Sequence, residues 1–170
     1  MSIRSIRALA PAALAACGAL GLATTAYAAL GGQPMTTPSG AVAKAVSPVA
    51  HAAASSTSSS STSTSASYTV KETTLSSGTV VREYVGTDGN VFGIAWNGPF
   101  MPDLSSLLGT YFSQYTSDVE SQRAQRLGHG PVAVQQSGLV VHSAGHMGAF
   151  FGQAYLPAAL PPGVSSGDIQ

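Results

Sequence analysis

His142 and His146 stand four residues apart in His142-Ser-Ala-Gly-His146-Met147, and His129 lies upstream in Gly128-His129-Gly130. Imidazoles beside a thioether form a donor set for copper, since soft sulfur suits Cu(I) and imidazole suits either oxidation state; imidazoles also hold zinc. On a strand the two histidines share a face but sit about 13 Å apart at ~3.3 Å per residue. They converge on one copper or zinc ion, with Met147 and His129 as further ligands, only if Ala144-Gly145 makes a turn. The plainer reading is two hydrogen-bonding imidazoles flanking a turn, with Met147 filling the core. A second group is Pro99-Phe100-Met101-Pro102, apolar residues in a Pro-bounded loop. They read either as a partner contact or as chain folded over the core edge.

Other chemistry is hard to find. The chain has no G-x-x-x-x-G-K-[ST], no H-E-x-x-H and no G-x-S-x-G. Asp118 and Glu120, two apart on a helix, point to different sides and make no acid pair. Glu72, Glu83 and Asp88 read as the solvated face of a sheet. Seven Lys+Arg balance seven Asp+Glu among 170 residues, which argues against nucleic acid, whose binders show a clustered basic face. One cysteine excludes a disulfide framework and a Cys-based zinc site. No residue earns a catalytic role, so the balance leans away from an enzyme.

The elements that would position these groups follow from periodicity. Residues 68–75 (YTVKETTL) and 79–85 (TVVREYV) are Val/Thr/Tyr-rich and flank Ser76-Ser77-Gly78, which reads as a hairpin with Val80, Arg82 and Tyr84 on one face. Asp88-Gly89 marks a turn, because both residues tolerate positive φ, and 91–96 (VFGIAW) reads as a third strand. Asp103 is a good N-cap. After it, Leu104, Leu107, Leu108, Tyr111, Phe112, Tyr115 and Val119 trace one helical face over about 104–126, weakened at Gly109. Residues 132–136 and 139–143 make a second hairpin, and 148–156 a sixth strand. The expected fold is α+β: an antiparallel sheet of about six strands in β3-α-β3 order, with one amphipathic helix packed on it.

The N-terminal part reads differently. Arg4 and Arg7 precede an uncharged small-residue stretch (8–22), and Ala26-Tyr27-Ala28 fits a signal-peptidase site, so 1–28 reads as a secretory signal cleaved after Ala28. The stretch is shorter than the ~20 residues a spanning helix needs, so no transmembrane span is expected. A rival reading makes Cys17, in Leu14-Ala15-Ala16-Cys17, a lipid anchor; the short apolar run before it and the apolar chain after it count against this. Residues 29–67, with SSTSSSSTSTSAS at 55–67, read as a disordered tail and linker. Within them 41–54 carries at most a transient helix. The folded unit is then 68–160, followed by a C-terminal tail at 161–170.

Three stretches resemble a known family: ALGG at 29–32, YTVKETTLSSGTVVREYVGTDGNVFGIAWNGPFMPDL at 68–104 and SAGHMGAFFGQAYLPAALPPGVS at 143–165. They are similar to a family of small exported β-proteobacterial proteins known only as a domain of unknown function. The resemblance implies an exported, periplasmic or secreted product of a Gram-negative bacterium. It brings no activity, cofactor or site residue. The expectation is therefore a non-catalytic binding domain on a flexible tether, its partner an envelope protein or cell-surface component. The alternative is a copper- or zinc-binding protein or metalloenzyme using the His/Met cluster.

Overall fold

The computed structural model describes residues 30–46, 68–125 and 130–170. Its centre is one antiparallel sheet of seven strands: β1 Val42–Val46, β2 Thr69–Thr74, β3 Val80–Val85, β4 Val91–Gly98, β5 Val132–Gln135, β6 Val140–His146 and β7 Ala149–Tyr155, in the order β1-β2-β3-β4-β7-β6-β5. The six expected strands are all present. The tight turns form where glycine takes positive φ, at Gly78 (85°) and Gly89 (80°), as those turns require.

The seventh strand corrects the expected boundaries. Residues 41–46, read as part of a tail with transient helix at most, pair along β2 from Val42↔Thr74 to Val46↔Val70. The Ser/Thr-rich run, itself outside the described residues, therefore joins two neighbouring strands of one sheet. It does not separate a tail from a domain, and the tether reading falls with it. The chain ahead of β1 is also part of the fold. Leu30 is buried and donates its N–H to the Leu107 carbonyl at 3.0 Å, and Gly31 and Gly32 bond to Val91. At the other end Ile169 is fully buried, so 161–170 is no free tail. The expected signal sequence and Cys17 lie outside the described residues.

Asp103 caps the helix as its type suggests: its carboxylate accepts from the Ser105 N–H and from both the Ser105 and Ser106 hydroxyls. Those bonds hold the Asp103 carboxyl below the usual carboxylate range. The expected continuous helix is broken at Gly109 (φ 52°) into α1 Leu104–Leu108 and α2 Phe112–Gln125, joined by a single 3-10 turn. The apolar stripe survives the break because the turn keeps its residues on one side. Leu107, Leu108 and Val119 are buried, with Tyr111, Phe112 and Tyr115 packed beside them, against Val81, Ile94, Trp96, Val134 and Val141 of the sheet.

The helices do not reach across all of this face. Its β2–β3 part is crossed by residues 30–37, held there by a clamp. Lys71 and Glu83 are directly opposed in the β2–β3 register. The Met35 N–H donates to Glu83 Oε1 at 2.7 Å, and Lys71 Nζ donates to the Met35 carbonyl while lying 3.6 Å from Glu83 Oε2. Glu83, expected on a solvated face, is instead completely buried. The alternation that places Val81 and Val85 in the core carries residue 83 with them.

The opposite face has a smaller core of Tyr68, Val70, Tyr84, Phe92 and Ile169. Phe92 joins it through a bulge: Tyr84 pairs Gly93 and Val85 pairs Val91, leaving residue 92 extra and turning its ring to this side. There it meets Tyr68 edge-on, centroids 5.7 Å apart. The chain after β7 returns across the same face, where Gln170 exchanges hydrogen bonds with the Tyr84 hydroxyl.

Burial pushes the Glu83 carboxyl above its ordinary value of 4.5, against the opposing pulls of the Met35 N–H and Lys71. The folded state therefore binds this proton more tightly than the unfolded chain. The group's contribution is greatest below 4.5 and is lost as pH rises through the elevated folded value. Urea titrations of wild type and Glu83→Gln from about pH 7 to about pH 4 should show their stability difference moving in favour of wild type on acidification. A difference independent of pH would contradict this account of the clamp.

Candidate functional site: the open half of the sheet

The C-terminal segment covers the second face over β2, β3 and the start of β4 only. Over the rest, among the described residues, the strands line a groove of about 670 Å³. Two cross-strand rows build it. One runs Arg82, Ala95, Gln153, His142, Ala133 through β3, β4, β7, β6 and β5; the other runs Val80, Asn97, Phe151, Ala144 through β3, β4, β7 and β6. Alanine at 95, 133 and 144 keeps the floor low, and longer side chains stand between.

The polar groups here include both donors and acceptors. Arg82 spends Nε on Glu72 at 2.9 Å and Nη1 on the Gln170 carbonyl at 2.9 Å, which leaves Nη2 without a partner among the described residues. The side chains of Asn97, Gln153 and His142 also have no hydrogen-bond partner there. Among the described residues no Asp or Glu lines the groove, but Gln170 does, and its main-chain terminal oxygen is the group that accepts from Arg82. Arg82 and His142 are three strand spacings apart, roughly 14 Å, with Gln153 between them.

Only one of the predicted metal ligands lines this groove. His142 does; His146 and Met147 lie beyond it, and His129 lies outside the described residues. β6 runs unbroken through His146, and the turn follows at Met147-Gly148 rather than at Ala144-Gly145. The two histidines thus keep the spacing of an extended strand. His146 Nδ1 sits 3.1 Å from the Met147 carbonyl, and Met147 is 94% exposed, so it does not fill the core as the plainer reading had it. Among the described residues no group of three or more His, Cys, Asp or Glu is placed to hold an ion.

The loop candidates separate too. Pro102 is buried and Pro99 half-buried, while Phe100 and Met101 are exposed; the Thr79 hydroxyl, donating to the Phe100 carbonyl at 2.7 Å, fixes the loop. The large apolar side chains that stand exposed are Val42, Phe100, Met101, Met147 and Phe151. All belong to one end of the sheet. Val42 opposes Thr74 beside the β2–β3 turn, Phe100 and Met101 follow β4, Met147 forms the β6–β7 turn, and Phe151 opposes Asn97.

Sequence reasoning placed Val80 and Arg82 on one face correctly but did not single out Arg82, Asn97 or Gln153. The available signal was strand alternation, which puts 95, 97, 151 and 153 on the same side once the β4–β7 pairing is known.

The family model for Protein of unknown function (DUF2844) matches residues 26–169. The chain belongs to that family. The match spans both the segment ahead of β1 and the chain after β7, the parts of this DUF2844 chain that cover its sheet. No curated protein matches the chain, and no solved structure does. Among the described residues no helix is long and apolar enough to cross a membrane.

One glycine holds the groove floor. A Cβ at Gly152 would lie 2.3 Å from the Trp96 ring and 2.5 Å from the His142 carbonyl oxygen, so β7 sits flat between its neighbours only without a side chain there. Gly152→Ala should lower the unfolding free energy by about 1–3 kcal/mol. Gly138→Ala, with nothing within 4 Å of the new carbon, should stay within about 0.5 kcal/mol of wild type in the same urea titration. Equal effects at the two sites would contradict the packing described.

Proposed function

We propose that this DUF2844 protein is an exported, non-catalytic binding domain of the cell envelope that works through the open half of its sheet. The observation that carries the reading is the groove itself. Its size is that of a small-molecule site, and it combines apolar walls with a few convergent polar groups, of which Asn97, Gln153 and His142 have no hydrogen-bond partner among the described residues. Export is supported by the charged, apolar and A-x-A segments at the N-terminus.

A binding role fits the groove better than catalysis. Among the described residues His142 has neither a carboxylate to orient it nor a hydroxyl to activate, the arrangement that nucleophilic catalysis needs; Ser143 alternates to the helix-covered side and is buried. The copper or zinc alternative would require His142 and His146 to leave the strand that holds them apart.

Ala144, which lines the groove at the β6 end of the second row, gives a direct test. Backbone amide spectra of the full chain, titrated with a small-molecule and lipid extract of bacterial envelopes, should shift at groove-facing residues of β3, β4, β6 and β7. Ala144→Trp, which fills the groove, should abolish those shifts. An absence of shifts in wild type, shifts confined to α1 and α2, or equal shifts in Ala144→Trp would each overturn the reading.

A further inference from the structure

Among the described residues Arg82 is the only Lys or Arg that lines the groove, and no Asp or Glu lines it. Arg82 is already engaged, through Nε with Glu72 and through Nη1 with the Gln170 main-chain oxygen. A charged ligand therefore finds no unpaired counter-charge. The three polar side chains left without a partner, Asn97, Gln153 and His142, each both donate and accept: an amide carries N–H and C=O, and a neutral imidazole has one nitrogen of each kind. Gln153 directly opposes His142 on β6 and is the diagonal neighbour of Asn97 on β4. Phe151 stands on the same face between Asn97 and Ala144. It is 52% exposed and stacks on no other ring among the described residues.

From this combination we infer that the groove is a site for an uncharged saccharide, its hydroxyls on Asn97, Gln153 and His142 and the C–H face of one ring on Phe151. The inference rests on the binding reading above and adds the ligand's class. A hydroxyl donates and accepts at once, so a run of neighbouring hydroxyls is matched by side chains that do both. The apolar side of a sugar is the flat array of its C–H bonds, and a flat aromatic ring covers it. The length agrees: from β4 to β6 is two strand spacings, about 10 Å, the span of two linked pyranose rings. A peptide fits less well, because an extended peptide binds by adding to an exposed sheet edge through main-chain hydrogen bonds. The floor strands β4, β7 and β6 are interior, with both neighbours in place, and have no ladder to extend.

Side-chain and backbone amide spectra of the full chain test the assignment. The probes are three neutral disaccharides (cellobiose, maltose and N,N′-diacetylchitobiose), the charged counterparts of cellobiose (chitobiose, a diamine, and cellobiouronate, a carboxylate) and trialanine. A neutral disaccharide should shift the side-chain amide signals of Asn97 and Gln153 and bind more tightly than either charged counterpart. Its affinity should be the same at about 20 and about 200 mM salt, since no ion pair is there to be screened. Gln153→Ala should weaken it about two- to tenfold, the scale of one neutral hydrogen bond, and Phe151→Ser about three- to tenfold. Phe151→Trp, which offers a larger ring, should strengthen it, a change in the opposite direction that a folding defect would not produce. If no neutral disaccharide shifts those signals, if a charged counterpart or trialanine binds more tightly, or if Phe151→Ser and Phe151→Trp bind alike, the saccharide inference is wrong. The envelope extract then decides the binding reading separately: groove shifts that Ala144→Trp abolishes leave it standing, and their absence removes both.

Discussion

A seven-stranded sheet has two faces that must be shielded from water, and the described residues supply helix for only part of one. Everything else about the molecule follows from how the deficit is met. On the helix side, residues 30–37 cross the uncovered β2–β3 region. A backbone crossing a buried face carries polar groups that cannot be left unpaired, and Lys71 and Glu83 answer this by taking the Met35 carbonyl and N–H respectively. A fully buried carboxylate is costly, so this clamp is a stabilising contact whose worth depends on proton binding. On the other side, the chain after β7 packs Ile169 under Tyr84 and Gly93. Gly93 is suited to this, since a Cβ there would lie 2.8 Å from Ile169 Cδ1.

The C-terminal cover stops short, and what it leaves open is the groove. The open region carries Arg, Asn, Gln and His rather than a continuous apolar surface, so the sheet tolerates water there; Arg82 is bonded to Glu72 and Gln170, while the other three side chains have no partner among the described residues. Small residues at 95, 133 and 144 make the surface concave without a cavity having to be held open. The same strands that form the floor present Trp96 and Val141 to the main core on the reverse side, so the groove and the core share one scaffold. That is a rigid platform, and rigid elements hold binding groups more accurately than loops do.

The order of elements was legible because local signals carry it. Turn glycines at 78 and 89, the Asp103 cap and the Leu107–Val119 stripe each depend on residues a few positions apart. What escaped depends on partners far along the chain. Glu83 looked solvated because the N–H that accounts for its burial belongs to Met35, 48 residues earlier. The contact between Tyr84 and Gln170 spans 86 residues. β1 escaped for another reason: VAKAV sits in an Ala- and Pro-rich stretch before a long Ser/Thr run, and its strand character comes from pairing with β2 rather than from its own pattern. The groove was legible only in fragments. His142 stood out as a titratable residue and Phe100 as an exposed apolar one, but Arg82, Asn97 and Gln153 become a site only once β4 lies beside β7.

Hydrogen exchange of the full chain with and without a bacterial envelope extract would test the central claim most directly. The account predicts slower exchange along β4, β6 and β7, where the groove lies, and no change in α1 and α2. Slowing confined to α1 and α2, or no slowing anywhere, would contradict it.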